Sequence, residues 1–284
     1  MSKQQERSAP VKAEMLRAGR GRRVYRFLAL ILAFVGMAGT AFADMAAGEA
    51  AMNRGDFTAA LKEFKPLAEK GDVQAQVEMG YLYYHGKGVA QDRKKSAHWL
   101  KKAADQGNAY AQYNLGKMHA TGNGVKQNHA EAVRYYRLAA ESGSVDGRIA
   151  LGLAYTGGTG VEKNEKEAAT WIRMAADQDS PRAQGILGKM YALGTGVEQS
   201  DGEAIRLFRA AAIAGDSDAQ ASLGMVYLLG KGTMKDPVQA YVWSSVAADA
   251  GVAVAKDIQG MAEKELTDTQ LARARKQAAQ WKRK

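Results

Sequence analysis

Glycines return at a fixed interval of 36 residues, and no other feature constrains this chain as tightly. The slot of Gly80 recurs at Gly116, Gly152, Gly188 and Gly224. The slot of Gly86 recurs at Gly122, Gly158, Gly194 and Gly230, and that of Gly88 at Gly124, Gly160, Gly196 and Gly232, without one insertion. A period of this length means that one supersecondary unit is reiterated, each copy exposing an apolar face that only its neighbours can cover. Such a chain specifies a surface before it specifies any chemistry.

The unit is a pair of helices. The slot of Asp72 reads Asn108, Ser144, Ser180 and Asp216, residues whose side chains accept from the free N–H groups of a helix's first turn, and Pro181 follows one of them. A first helix, A, is predicted to begin there. A second cap slot reads Asp92, Asn128, Asn164, Ser200 and Asp236, with Glu131, Glu167, Glu203 and Gln239 three residues beyond the last four. That is the capping-box spacing, and it predicts the start of helix B. Between the helices runs G-x-G-V, whose first glycine is expected to end helix A in a left-handed cap. Helix B closes at Gly71, Gly107, Gly143, Gly215 and Gly251, with Asp179 in the same slot of the third repeat.

The apolar slots carry the helical period. Helix A presents Ala75, Met79 and Tyr83; helix B presents Ser96, Trp99, Leu100, Ala103 and Ala104. The Gly80 slot lies inside helix A, where glycine costs about 1 kcal/mol relative to alanine, so a closely packed neighbour is expected to compensate.

The assembled pattern, A-x-x-x-L-G-x-x-Y-x-x-G-x-G-V-x-x-D/N-x-x-x-A-x-x-W-x-x-x-A-A-x-x-G, resembles the Sel1-like repeat, a relative of the tetratricopeptide repeat, over residues 56 to about 260. The resemblance implies an all-α fold, a right-handed superhelical solenoid of antiparallel helix pairs. The expected organisation is an N-terminal capping helix pair over 44–71, five repeats (72–107, 108–143, 144–179, 180–215 and 216–251), and a degenerate sixth repeat with a C-terminal capping helix over 252–284. Thr267-x-x-Gln270 is predicted to cap that last helix.

Residues 1–43 read differently. Arg17, Arg20, Arg22, Arg23 and Arg26 precede an apolar run from Phe27 to Ala43 that ends Ala41-Phe42-Ala43, the pattern of a secretory signal cut before Asp44. Met15 would begin a signal of more usual length. The segment holds eight Lys or Arg against Glu6 and Glu14, so six of the ten net positive charges fall within it. The remaining charge, about +4, gives a nucleic-acid partner no support. Membrane attachment is expected only if the run stays uncleaved, and it is short for a span, which needs roughly 20 residues. Without cysteine the chain has no disulfide framework, thiol nucleophile or thiolate metal site.

No catalytic constellation stands out. The G-x-G motifs lack a third glycine and a preceding strand, so they read as helix caps and not as a dinucleotide fingerprint. His85, His98, His119 and His129 share no ligand spacing, and Glu131, Glu167 and Glu203 are explained by helix capping. No cofactor and no metal are expected. The cysteine-rich, β-lactam-linked branch of the resembled family does not apply to a chain without cysteine.

Specific function should sit where the repeats vary. Taking 100° per residue from Met79, the slots of residues 77, 81 and 84 point away from the helix pair. They read Val77, Tyr113, Ile149, Gly185, Ala221; Tyr81, Lys117, Leu153, Lys189, Met225; and Tyr84, Ala120, Thr156, Ala192, Leu228. Two packings are open: an apolar, aromatic partner groove, or burial of these slots between adjacent A helices. The groove reading names Tyr81, Tyr84, Tyr113, Lys117, Leu153, Lys189 and Met225 as contacts for a protein or peptide. The leading expectation is a non-enzymatic adaptor, periplasmic or secreted, with a partner in the cell envelope. Exported members of the resembled family imply sensor-kinase regulation or a polysaccharide-secretion scaffold. An envelope hydrolase with an unrecognised site and a membrane-anchored structural subunit stand as alternatives. N-terminal sequencing of the exported protein is expected to begin Asp44-Met45-Ala46; an intact Phe27–Ala43 run would show an anchor instead.

Overall fold

A computed structural model describes residues 45–281, which are all helix and connecting turn. The predicted signal, with Asp44 and the last three residues, lies outside the described part. The helices are α1 (45–53), α2 (Phe57–Glu69), α3 (Val73–His85), α4 (Arg93–Asp105), α5 (Ala109–Thr121), α6 (His129–Glu141) and α7 (Val145–Gly157). They continue as α8 (Glu165–Ala176), α9 (Pro181–Leu193), α10 (Asp201–Ile213), α11 (Ser217–Leu229), α12 (Pro237–Asp249), α13 (Ala253–Glu263) and α14 (Asp268–Trp281). Two compact units meet in sequence between Trp99 and Leu100, inside α4.

In the first unit, α2 and α3 close over Phe64, Leu67, Met79 and Leu82, all fully buried. The Ser96 hydroxyl donates to the Gly80 carbonyl at 2.7 Å and holds α3 to the start of α4. In the second unit α5, α7, α9, α11 and α13 are A helices; α7, α9, α11 and α13 each pack on the B helix before them, and α5 to α11 each pack on their own B helix after them. α14 closes the series by packing on α12. This is repeat-on-repeat solenoid construction, with alanines buried at the helix contacts, among them Ala139, Ala175 and Ala211, each 0 % exposed.

The helix boundaries follow the caps. Asp72, Asn108, Ser144, Ser180 and Asp216 each accept from the backbone N–H three residues on. Val252 fills that slot in the sixth repeat, and α13 has no side-chain cap. The A helices end on left-handed glycines such as Gly122, φ 71°. Asp179 holds φ 57° and is the one non-glycine with positive φ among the described residues. The second glycine of the motif also has a structural reason. Gly160, φ 75°, lies against the His129 carbonyl at the start of the preceding B helix, where a Cβ would overlap it.

The capping boxes at the B helices form only by half. Asn128, Asn164 and Ser200 accept from the N–H groups of Glu131, Glu167 and Glu203, as expected. The carboxylates do not reach back, because the cap N–H groups already donate to Tyr83, His119, Tyr155, Tyr191 and Tyr227, one carbonyl near the end of each A helix. Glu131 and Glu203 instead accept from Arg134 and Arg206, and Glu167 from the Trp171 indole. The reciprocal box appears at α14, between Thr267 and Gln270.

Two ladders were not anticipated from the sequence. Buried Gln76, Gln112 and Gln220 donate through Nε2 to Ala68, Ala104 and Ala212, satisfying carbonyls at the ends of B helices. Arg137, Arg173 and Arg209 donate to the hydroxyls of Tyr155, Tyr191 and Tyr227 in the following repeat. Where His119 takes the tyrosine slot, Lys101 turns to Asp105 at 2.6 Å, and the His119 ring stacks on Tyr135 at 12° between planes.

The glycine inside helix A is explained by its neighbour. A Cβ on Gly116, Gly152 or Gly188 would come within 2.6, 2.7 and 2.8 Å of Tyr136, Ile172 and Phe208. At Gly224 the facing residue is Ser244, and the nearest approach is 3.2 Å. Gly260 has nothing within 4 Å. Gly188→Ala is therefore expected to lower unfolding free energy by roughly 1–3 kcal/mol through overpacking. Gly260→Ala is expected to raise it by roughly 0.5–1 kcal/mol through helix propensity. Urea unfolding of both variants measures the difference, and equal effects would remove the packing explanation.

Candidate partner-binding groove

Helix A is contacted on three sides, and this decides which residues stay open. The slot of residue 77 is closed: Val77, Ile149, Gly185 and Ala221 are buried and only Tyr113 is partly open. The reason is visible at Gly185, where a Cβ would meet Asp216 and Ala219 of the next A helix. The slot of residue 84 is half-buried, and Leu228 is fully so. What remains accessible is the stripe through slots 74, 78, 81 and 85, rotated toward the free side. Of the two packings left open by the sequence, the 77 slot takes burial, while the 81 slot is exposed at Lys117, Leu153 and Lys189 and half-buried at Tyr81 and Met225.

Within the second unit the predicted contacts do not gather in one place. In the first unit Tyr81 and Tyr84 are half-buried beside exposed His85, with ring centroids 4.6 and 5.0 Å away. The Lys87 ammonium donates to the Tyr81 hydroxyl at 2.7 Å and lies 4.7 Å from the Phe57 ring. Nearby, burial pushes the Glu78 carboxyl above its ordinary range. In the second unit Tyr113 packs against Tyr136, centroids 6.0 Å apart, with Lys117 over its ring. Leu153, 43 % exposed, borders a separate hollow of about 220 Å³ with Tyr136 and Thr159.

Lys189 and Met225 do come together, on a larger groove of about 380 Å³ between α9, α11 and α13. Its floor is Ala204, Phe208, Ala221 and Ile258, all buried. Its rim carries Leu193 and Leu229, 76 % and 56 % exposed, and Val254, 51 % exposed. Lys189, Lys231, Asp201 and Asp218 are its charged residues. Leu193 and Leu229 occupy slot 85, one residue beyond the slot chosen by the helical wheel, and were missed for that reason. Their signal was in the sequence: slot 85 reads His, Thr, Gly, Leu and Leu, turning aliphatic only in the last two repeats.

None of these groups makes a catalytic set. Among the described residues no three His, Asp or Glu side chains lie close enough to hold a metal ion.

A family model described as the Sel1 repeat matches the chain five times in succession, at 73–108, 109–144, 145–180, 181–216 and 217–252. The chain belongs to the Sel1 repeat family. These windows start one residue after the cap slots that mark the repeats here. Among solved structures, the chain is similar to a protective antigen of uropathogenic Escherichia coli with an SLR fold. That match has 34 % identity and a TM-score of 0.75, covering 86 % of this chain. The chain spans 54 % of that antigen's length. It is also similar to a Sel1 repeat protein from Oxalobacter formigenes, at 31 % identity and TM-score 0.72, covering 76 % of this chain and 86 % of that one. A comparison with functionally curated proteins finds no match. Sel1 repeats generally mediate protein–protein interaction, and their scaffolds are typically non-enzymatic.

The Tyr113–Tyr136 pair gives this Sel1 repeat surface a pH signature. Burial, then the neighbouring Tyr113, pushes the Tyr136 phenol up to about 12. The unfolded chain would ionise near 10 and the folded one later, so stability is intact below pH 10 and falls between about 10 and 12. Allowing for partial exposure, Tyr136→Phe is expected to remove roughly 1 kcal/mol of that loss, read from unfolding at pH 9 and pH 11.

Proposed function

We propose that this chain is an exported, non-enzymatic adaptor that binds a protein or peptide in the cell envelope through the open stripe of its A helices. The observation that carries this reading is the groove bounded by Leu193, Met225 and Leu229. Two leucines more than half exposed, beside a deep apolar floor, form a surface that water alone does not favour. The groove is built on rigid helices, so little order has to be imposed on binding.

Export is supported by the basic and apolar character of residues 1–43. Regulation of a sensor kinase and service as a polysaccharide-secretion scaffold are the two settings that the family resemblance suggests. Tyr81 and Tyr84 in the first unit, and Tyr113, Lys117 and Leu153 in the second, are proposed as secondary contacts, because each lies on or beside the open side of its own A helix.

The test is affinity capture from envelope extract with the wild-type protein and with the Leu193→Asp/Leu229→Asp double variant. Both positions are exposed, so the melting temperature is expected to move by no more than a few degrees. At least one specific partner is expected to fall tenfold or more in the variant. An identical captured set from both proteins would count against the groove.

A further inference from the structure

Resting on that reading, we infer that the occupant of the α9–α11–α13 groove is an amphipathic helix of about three turns with carboxylates flanking its apolar stripe.

The length comes from α11. Asp218, Ser222, Met225, Val226 and Leu229 line the groove along nearly the whole helix, at i, i+4, i+7, i+8 and i+11. Eleven residues at 1.5 Å each make a trough of about 17 Å, or three helical turns. Its volume of about 380 Å³ corresponds to roughly a dozen water molecules at about 30 Å³ each, enough room for a few aliphatic side chains of a partner.

The conformation follows from what the walls lack. Along α9 and α11 the backbone N–H and C=O groups are committed to intrahelical bonds, and the apolar floor offers no side-chain donor. An extended peptide would bring its own backbone groups onto aliphatic walls with few partners. A helix arrives with those groups already paired and presents side chains alone, the knob-and-groove mode of recognition.

The charge follows from which rim groups are already answered. Asp201 and Asp218 each sit in the first turn of a helix, α10 and α11, where the positive end of the helix dipole favours them. Lys189 lies on α9 before its last turn, and Lys231 lies beyond the cap of α11. Among the described residues neither ammonium is in an ion pair. Carboxylates beside the apolar stripe of an incoming helix would meet both.

A display selection of random 16-residue peptides on the full chain, counter-selected on the Leu193→Asp/Leu229→Asp variant, tests this. Enriched sequences are expected to repeat large apolar residues at i, i+3 or i+4, and i+7, with two or more Asp or Glu and no internal Pro. The leading peptide, synthesised, is expected to gain helical circular dichroism on binding. Lys189→Glu and Lys231→Glu are each expected to weaken it about tenfold, with circular dichroism confirming that the variants fold. Groove-dependent binders that contain Pro, stay non-helical or are basic would overturn the helix inference and leave the adaptor reading standing. Failure to obtain any groove-dependent binder would overturn both.

Discussion

The approach of helix A to helix B over a missing side chain is the contact on which the repeat depends. Gly116, Gly152 and Gly188 let Tyr136, Ile172 and Phe208 reach the A-helix backbone. Any Cβ there would push the pair apart. That closeness places the end of helix A where the carbonyls of Tyr83, His119, Tyr155, Tyr191 and Tyr227 can accept the cap N–H of the next helix. A steric allowance in mid-helix thus goes with a hydrogen bond whose acceptor lies three residues further along the same helix. The same bond explains why Glu131, Glu167 and Glu203 are free to engage other side chains: the donor that a capping box needs has been taken.

The second consequence is positional. Once an A helix is held by a B helix on either side and by the adjacent A helix along slot 77, only one narrow stripe can face water. Gly185 marks the contact between A helices, and the burial of Ile149 and Ala221 shows that it continues through the neighbouring repeats. Scaffold and surface are therefore divided by packing geometry and not by polarity. This is why exposed Leu193 and buried Leu187, six residues apart on α9, have opposite environments with identical chemistry.

Much of this was legible in the sequence because it was repeated. Five copies of a cap, a glycine pair and an alanine pair leave few alternatives for the helix boundaries, and Ser144, Ser180 and Asp216 cap where their slot predicts. The stripe was legible only to within one helical position. A wheel drawn from Met79 treats helix A as touched on one face, whereas a stacked helix is touched on three, so the open direction rotates toward slots 78 and 85. The Gln76 and Arg137 ladders were hidden for a different reason. Each joins residues 8 or 18 positions apart, a pairing that no helical period points to, and only the assembled stack brings donor to acceptor.

The groove illustrates how a repeat protein acquires a particular site without altering its framework. Phe208 satisfies the scaffold, since it fills the space left by Gly188, and it also floors the groove. Leu193 and Leu229 satisfy nothing in the scaffold: the residues in their slot earlier in the second unit, Thr121 and Gly157, are small or polar and the helices form equally well. Exposed leucine at two successive copies of a slot that tolerates threonine and glycine is not demanded by folding. Its physical effect is to extend the buried Phe208–Ile258 floor outward into an apolar trough whose walls only another apolar surface can complete.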